Sequence, residues 1–296
     1  MQRNLRGAKA LKSTGQVGVI GLGQMGLAMA ETLKRKGFHV IGTDVSASRR
    51  ALFSGAIERV EDVAEHADVL ILSLPNSTIV EAVMAAVMDH CRPGTLIIDT
   101  STADPTSTRT LARLAKDKAL HFVDAPVSGG AAGAAAGTLF IMAGGDADAI
   151  EKARPFFDAL GRETVLCGKS GAGNVVKILN NALCAAHLSL AGEALALGEK
   201  AGLDRSVLAA ALAKGSGRSA VFEVNLPKWV LSDSFDSGFT MGLMRKDVRL
   251  FDAFLAAQGG DPAVLKTASD LWRQSAETLH DADDFNKMVG FAGARS

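Results

Sequence analysis

The sequence predicts a Rossmann-type, doubly wound parallel α/β sheet followed by an all-α C-terminal domain, the two joined by a long helix. Three observations carry that prediction. From Gln16 onward, short β-branched runs alternate with stretches rich in Ala, Leu and Met, the pattern of successive βαβ units. The first run passes through Gly21-Leu22-Gly23-Gln24-Met25-Gly26 into a helical stretch, the arrangement that opens a dinucleotide-binding fold. After Gly173 the strand signal stops and apolar helical periodicity takes over.

Taken in order, the expected strands are Val17–Ile20, residues 39–43, Val69–Leu72, Leu96–Asp99, His121–Asp124, and residues 139–143 and 164–167. Each is short, apolar at consecutive positions and closed by polar, Gly or Pro residues, as strands buried on both faces are. The first expected helix covers residues 27–36. The Ala/Gly-rich segment 129–137 is expected as a tight functional loop. Residues 174–201 read as one unusually long apolar helix, followed by helices over 205–213, 220–231, 246–258 and 262–279. The boundary falls near residue 172, separating a dinucleotide-binding domain (16–172) from an all-helical domain (173–296).

A chain of 296 residues with 48% hydrophobic content can bury the cores of two medium domains. Its 32 basic and 32 acidic residues balance, so no global field draws it to nucleic acid or an anionic membrane, and a small molecule is the expected partner. Cys91, Cys167 and Cys184 are far apart and show no Cys-x-x-Cys or Cys/His spacing. No metal site is expected, and a reduced cytoplasmic compartment fits. No run reaches the roughly 18–20 charge-free apolar residues of a membrane span. Arg3, Arg6, Lys9 and Lys12 near the start read as a basic tail in preference to a transit peptide.

The three glycines of the first turn have separate tasks. Gly21 permits the turn, Gly23 lets backbone approach a pyrophosphate, and Gly26 lets helix and strand pack, with the helix N-terminus facing negative charge. Asp44, eighteen residues after Gly26, closes the second strand where a carboxylate can accept both ribose hydroxyls of an adenosine. That favours NAD over NADP, because Asp44 repels a 2′-phosphate, while Arg49 and Arg50 weaken the preference; Asp44 also fits an ordinary strand-end turn. Gly168-Lys169-Ser170 resembles the end of a Walker loop, but Glu163 stands where that motif requires glycine.

Ligands of such folds sit beyond the carboxyl ends of the strands, which directs attention to Ser73-Leu74-Pro75-Asn76, Asp99-Thr100-Ser101-Thr102 and Asp124-Ala125-Pro126-Val127-Ser128-Gly129-Gly130. Ser128, Gly129 and Gly130 offer consecutive unobstructed N–H groups, either a carboxylate nest or a plain glycine turn. On the long helix, Lys177 and Asn181 are four residues apart and share a face. A lysine among Val, Ile, Leu and Ala is either a proton carrier with a pKa lowered by burial or a snorkelling surface residue.

These motifs together resemble the β-hydroxyacid dehydrogenase family, over residues 16 to about 285. The matching segments, in the family's order, are Gly21–Gly26, Asp124–Gly130, Gly171-Ala172-Gly173 with Lys177 and Asn181, and Lys246-Asp247. The resemblance implies that Lys177 is the catalytic acid/base, with Asn181 orienting substrate and Ser128, Gly129 and Gly130 binding its carboxylate. It implies that Leu74, Pro75, Asn76 and Thr102 line the nicotinamide side, that Lys246 reaches the cofactor, and that Asp247 stands on the substrate side with Thr102. It further implies a C3–C5 hydroxy acid as substrate and a homodimer or homotetramer built through the helical domain. Arg218, in Gly215-Ser216-Gly217-Arg218-Ser219, reads as a carboxylate partner or an exposed loop arginine. The chain departs from the family pattern near its end, with Trp272 for a Tyr and Asn286 for a Ser. A 6-phosphogluconate dehydrogenase is disfavoured because Asn180 stands where that enzyme has His. An imine reductase or a non-catalytic NAD-binding module is the alternative, disfavoured by the presence of Lys177.

Overall fold

The computed structural model describes residues 15–295; the basic stretch holding Arg3, Arg6, Lys9 and Lys12 lies outside them. Strands β1 (Val17–Ile20), β2 (Val40–Thr43), β3 (Val69–Leu72), β4 (Leu96–Asp99) and β5 (His121–Asp124) alternate with helices α1 (Gln24–Arg35), α2 (Ala47–Arg50), α3 (Val60–His66), α4 (Ser77–Val87) and α5 (Pro105–Asp117). These strands pair in parallel in the order β2-β1-β3-β4-β5, with Val17, Val69, Leu96 and His121 in register. β1, β3 and β4 are buried at every position. Their side chains alternate between two layers: Val17, Val19, Val69 and Ile71 join one core, Ile20, Leu70, Leu72 and Ile97 the other. Each such burial contributes about 1.5–3 kcal/mol, which is why the strands tolerate no polar interruption before their ends.

Beyond β5 the sheet departs from the all-parallel expectation. β6 (Val127–Ser128) and α6 (Gly130–Ala136) lead to β7 (Leu139–Gly145), which runs antiparallel to both β5 and β6. Helix α6 does not cross the sheet: Thr32 Oγ1 of α1 donates to Ala134 O at 2.8 Å, so the chain re-enters the sheet from the opposite end. Segment 129–137 is therefore a short helix and not the expected loop, built from alanines, the strongest helix formers. α7 (Ala147–Leu160) then returns the chain to β8 (Gly161–Gly168), parallel to β7. β8 was expected to be buried on both faces; it is an exposed edge, with Leu166 58% exposed. Arg162 and Glu163 at its start are the residues that mark it as solvated.

After Gly168 come α8 (Ala172–Lys200), α9 (Arg205–Leu212), the π-helical segment Val221–Val230, α10 (Met241–Gln258), α11 (Ala263–Gln274), the 3-10 turns Ser275–Glu277 and Phe285–Lys287, and α12 (Met288–Gly293). Expected as an ordinary helix, the π-helical segment contains Pro227, which has no N–H to donate. Leu231 N–H closes the wider turn on Leu226 O at 2.8 Å. α10 starts five residues before the expected 246 because Thr240 caps it, its side chain accepting from Leu243 N–H.

Helix α8 spans both halves of the molecule, about 44 Å for 29 residues. Its first turns lie against β5, β7 and α5, and its remainder is packed by α9, α10, α11 and α12. Leu188, Leu195, Met244, Trp272 and Met288 form one core there, and Trp272 Nε1 donates to Ala185 O at 2.9 Å. Gly192 admits α12: a Cβ in its place would lie 2.3 Å from Val289 O. By length and composition α8 is apolar enough to cross a membrane, which the expectation from charge-free runs had excluded; 56% of its apolar window is buried inside the fold, as for the core helix of a globular domain.

Candidate active site

The glycine turn follows β1 directly. Gly21 has φ +94°, and a Cβ there would meet Ser73 O at 2.3 Å; one on Gly26 would meet Gly21 O at 1.8 Å. Gly21 is required by the close approach of the loop after β3, and Gly26 by the approach of α1 to the turn. Gly23, by contrast, has nothing within 4 Å of where its Cβ would stand, and it caps α1, whose opening turn carries no acidic residue. An open cradle of backbone at a helix N-terminus fits a pyrophosphate. Leu22 is buried beneath the turn, while Gln24 and Met25 start α1. Gly238, in the loop before α10, comes within 3.3 Å of Gln24 Oε1, measured from its ideal Cβ.

Asp44 holds this turn from the end of β2. Its Oδ2 accepts Leu22 N–H at 2.8 Å and its Oδ1 accepts Ser46 N–H at 2.9 Å. The strand-end turn and the support of the glycine loop are thus both present in one half-buried carboxylate, which keeps lone pairs beyond the two these bonds use. Arg50 folds back onto the carbonyls of Asp44 and Val45.

The loops after β3 and β4 are tied together. Leu74 N–H donates to Ser101 Oγ and Ser101 N–H donates to Asp99 Oδ1, both at 2.9 Å. Pro75 is exposed, and Asn76 caps α4 by accepting Ile79 N–H at 3.0 Å. Thr102 carries the link to the helical half, since Lys246 Nζ donates to Thr102 O at 3.2 Å. After β5, Ser128 pairs within β6, and Gly129 and Gly130 take φ +128° and +64° at an exposed turn.

Across from these loops, α8 and α10 bring Lys177, Asn181, Lys246 and Asp247 together. Lys177 is 7% exposed and Asp247 2% exposed. Asn181 Nδ2 donates to Asp247 Oδ2 at 2.5 Å, and Asn181 Oδ1 accepts from Asn180 at 3.0 Å. Lys246 Nζ stands 2.9 Å from Asp247 Oδ1 as an ion pair, though outside hydrogen-bond geometry. The Lys177 ammonium makes no hydrogen bond or ion pair among the described residues. Burial pushes its pKa down, the Asp247 carboxylate opposes that shift, and Lys246 adds to it. A buried amine with no fixed partner and a lowered pKa can exchange a proton with whatever is bound beside it. Arg218 does not join this group: it is exposed in its loop and pairs with Glu223 at 3.9 Å.

Sequence reasoning gave no role of its own to three buried polar residues behind the site. Asp99 and Asp124 are register neighbours at the ends of β4 and β5, both 0% exposed. Burial pushes the Asp99 carboxyl up to about 7 and the Asp124 carboxyl up to about 6. Asn174, also fully buried, accepts Ala103 N–H at 2.9 Å and donates to Thr108 Oγ1 at 3.1 Å. The available signal was the spacing of Asn174, Lys177 and Asn181, which places three polar side chains on one face of an apolar helix.

Comparison with known proteins identifies the family. The family profile described as the NAD binding domain of 6-phosphogluconate dehydrogenase matches residues 16–168, and that described as NAD-binding of NADP-dependent 3-hydroxyisobutyrate dehydrogenase matches 171–292. The chain is 39% identical over 260 residues to a 2-(hydroxymethyl)glutarate dehydrogenase of Eubacterium barkeri, covering 86% of each chain. It is 38% identical over 285 residues to an NAD-dependent L-serine dehydrogenase of Pseudomonas aeruginosa, covering 92% of this chain and 95% of the relative. The solved 3-hydroxyisobutyrate dehydrogenase of Mycobacterium tuberculosis with L-serine superposes at a TM-score of 0.88 and 31% identity, covering 94% of this chain and 98% of that one. The chain belongs to the β-hydroxyacid dehydrogenase family and is an NAD-binding oxidoreductase, with NADP as a possible second cofactor.

Proposed function

We propose that the protein oxidises a small hydroxy acid to its semialdehyde or keto acid, or runs the reverse reduction, with Lys177 as acid/base. The observation that carries this reading is the buried, unpartnered ammonium of Lys177 close to Asp247, which also holds Asn181. Nicotinamide, when bound, supplies the hydride acceptor. Lys177 Nζ, in its neutral form, takes the hydroxyl proton as the substrate C–H is lost and the carbonyl forms; in the reverse direction its ammonium returns that proton. Asn181, held by Asp247, orients the substrate oxygen, and the Ser128-Gly129-Gly130 turn takes the carboxylate through backbone N–H groups. Lys246, fixed on Thr102 O, closes the cofactor side with Leu74, Pro75, Asn76 and Thr102. Arg218 has no part in it. The proposal divides the chain into a dinucleotide-binding domain (16–172), which also carries the carboxylate turn, and a helical domain (173–296), which brings Lys177, Asn181 and Lys246 to the site.

The substrates named for the relatives share one framework, a hydroxymethyl group on the carbon that bears a carboxylate, and differ in a third substituent that is methyl, amino or carboxyethyl. The test is reduced-nicotinamide absorbance with NAD and with NADP against 3-hydroxyisobutyrate, serine, glycerate, threonate, 4-hydroxybutyrate and 2-(hydroxymethyl)glutarate. Turnover is expected for acids with that framework, with NAD preferred through Asp44. Silence across the panel from folded, NAD-binding protein would return the reading to an imine reductase or an NAD-binding module.

The same proposal makes the chain a cytoplasmic homodimer or homotetramer. Its described cysteines are free thiols, as suits a reducing compartment. Val176, Leu183, Leu190 and Leu197 are exposed at seven-residue spacing along α8, a stripe that a two-fold-related copy can cover with its own. Leu183→Glu with Leu190→Glu is expected to reduce the mass seen by light scattering to that of a monomer. An unchanged mass places the interface elsewhere.

A further inference from the structure

Helix α8 has no side-chain cap of its own, although it carries Lys177 in its second turn. Its opening amides go instead to a residue 50 positions upstream: Gly171 N–H donates to Asp124 Oδ1 at 2.7 Å and Asn174 N–H donates to Asp124 Oδ2 at 3.0 Å. The carboxylate is fully buried and both oxygens are engaged, at the end of the helix that favours negative charge. The fit is close on all sides. A Cβ on Gly173 would lie 2.3 Å from Met142 O and 2.9 Å from Asp124 Oδ2, and one on Gly144 would lie 2.8 Å from Asp124 Oδ1. The Asn174 side chain pins the same turn sideways to Ala103 and Thr108. Each residue of a helix adds about 100° of rotation and 1.5 Å of rise, so these contacts set where Lys177, three residues after Asn174, is aimed.

We propose that Asp124 caps α8 in trans and is a positioning residue for Lys177, with Gly173 and Asn174 completing the mount. The proposal rests on the acid/base reading of Lys177. It accounts for the glycines of Gly171-Ala172-Gly173 as the space this mount requires, and it makes the rate depend on a side chain that does not touch substrate. The ionisable groups facing Lys177 are Asp247 and Lys246 of α10 and Cys184 of α8 itself, and none of them changes in the variants below.

The experiment compares Asp124→Asn and Gly173→Ala with the wild-type enzyme in kinetics and in hydrogen exchange. Asparagine keeps the volume but turns a donor toward one of the two amides; alanine pushes the helix outward with the carboxylate intact. Both are expected to lower kcat by about 10- to 100-fold, with the Kd for NAD unchanged within about two-fold, and to speed exchange of the amides of residues 171–177 in the cofactor-free protein. Lys177 owes its low pKa to burial, so a displaced Lys177 regains water and the acid limb of the oxidation profile moves to higher pH. A folded Asp124→Asn enzyme with wild-type kcat, limb and exchange overturns the proposal. So does a loss of kcat that follows melting temperature alone with the limb unmoved. Lys177→Ala separates the two readings: if it stays active, the acid/base assignment falls and this inference with it, whereas an inactive Lys177→Ala beside an unaffected Asp124→Asn removes this inference only.

Discussion

Lys177→Met is expected to lower kcat by about 10²- to 10⁴-fold, the contribution of a placed general acid/base, and to raise the melting temperature at the same time. The two effects have one cause. The ammonium lies in a site where it is 7% exposed and donates no hydrogen bond, so the free protein carries a buried charge compensated only by the nearby Asp247 carboxylate. Methionine has similar reach and no charge to desolvate. Replacing buried ionic groups with apolar ones of matching size is stabilising by about 1–4 kcal/mol where the geometry was not fully satisfied. Because burial lowers the lysine's pKa in the folded state, its cost is greatest at acid pH and fades as pH approaches the unfolded value of 10.5. The stabilisation by Met is therefore expected to be larger at pH 6 than at pH 10, measured by thermal melts. Retained turnover would remove Lys177 from the chemistry; a lower melting temperature would show that its ammonium is better compensated than the contacts indicate.

How far the sequence could be read differs from element to element, for physical reasons. β1, β3 and β4 were legible because strands buried on both faces leave unbroken apolar runs, and the glycine turn because three steric demands fall at fixed spacing. β8 misled because a run such as Thr164-Val165-Leu166 is apolar whether a strand is central or at the edge, and the charged Arg162 and Glu163 that mark it as solvated fell outside the strand as it was read. The reversal of β7 depends on where α6 packs, and no local pattern encodes that. Residues 220–231 were read as an ordinary helix although they contain Pro227, because periodicity does not register the missing N–H that widens the turn. In the site, Lys177 and Asn181 were found because their spacing gives them one helical face. Asp124 and Asn174 were not assigned roles because their partners are 47 to 71 residues away in the chain, beyond any periodicity argument.

Asp99→Asn is expected to flatten the dependence of stability on pH. The Asp99 carboxyl is fully buried, accepts one hydrogen bond, from Ser101 N–H, and leaves Oδ2 without a partner. Burial, with the charge of neighbouring Asp124 acting in the same direction, raises it from 3.8 to about 7. A group whose folded value lies above its unfolded one contributes stability that is complete below about pH 3.8 and is lost as pH rises through about 7. Between pH 5 and pH 8 the wild-type protein is thus expected to lose on the order of 2–3 kcal/mol through this group. Asparagine keeps the Oδ1 acceptor for Ser101, and through Ser101 Oγ the bond from Leu74 N–H, but it has no charge to bury. The advantage of Asp99→Asn in urea midpoint should accordingly grow from pH 5 to pH 8, while parallel pH curves for variant and wild type would show that Asp99 stays ionised through a compensation not evident from its contacts.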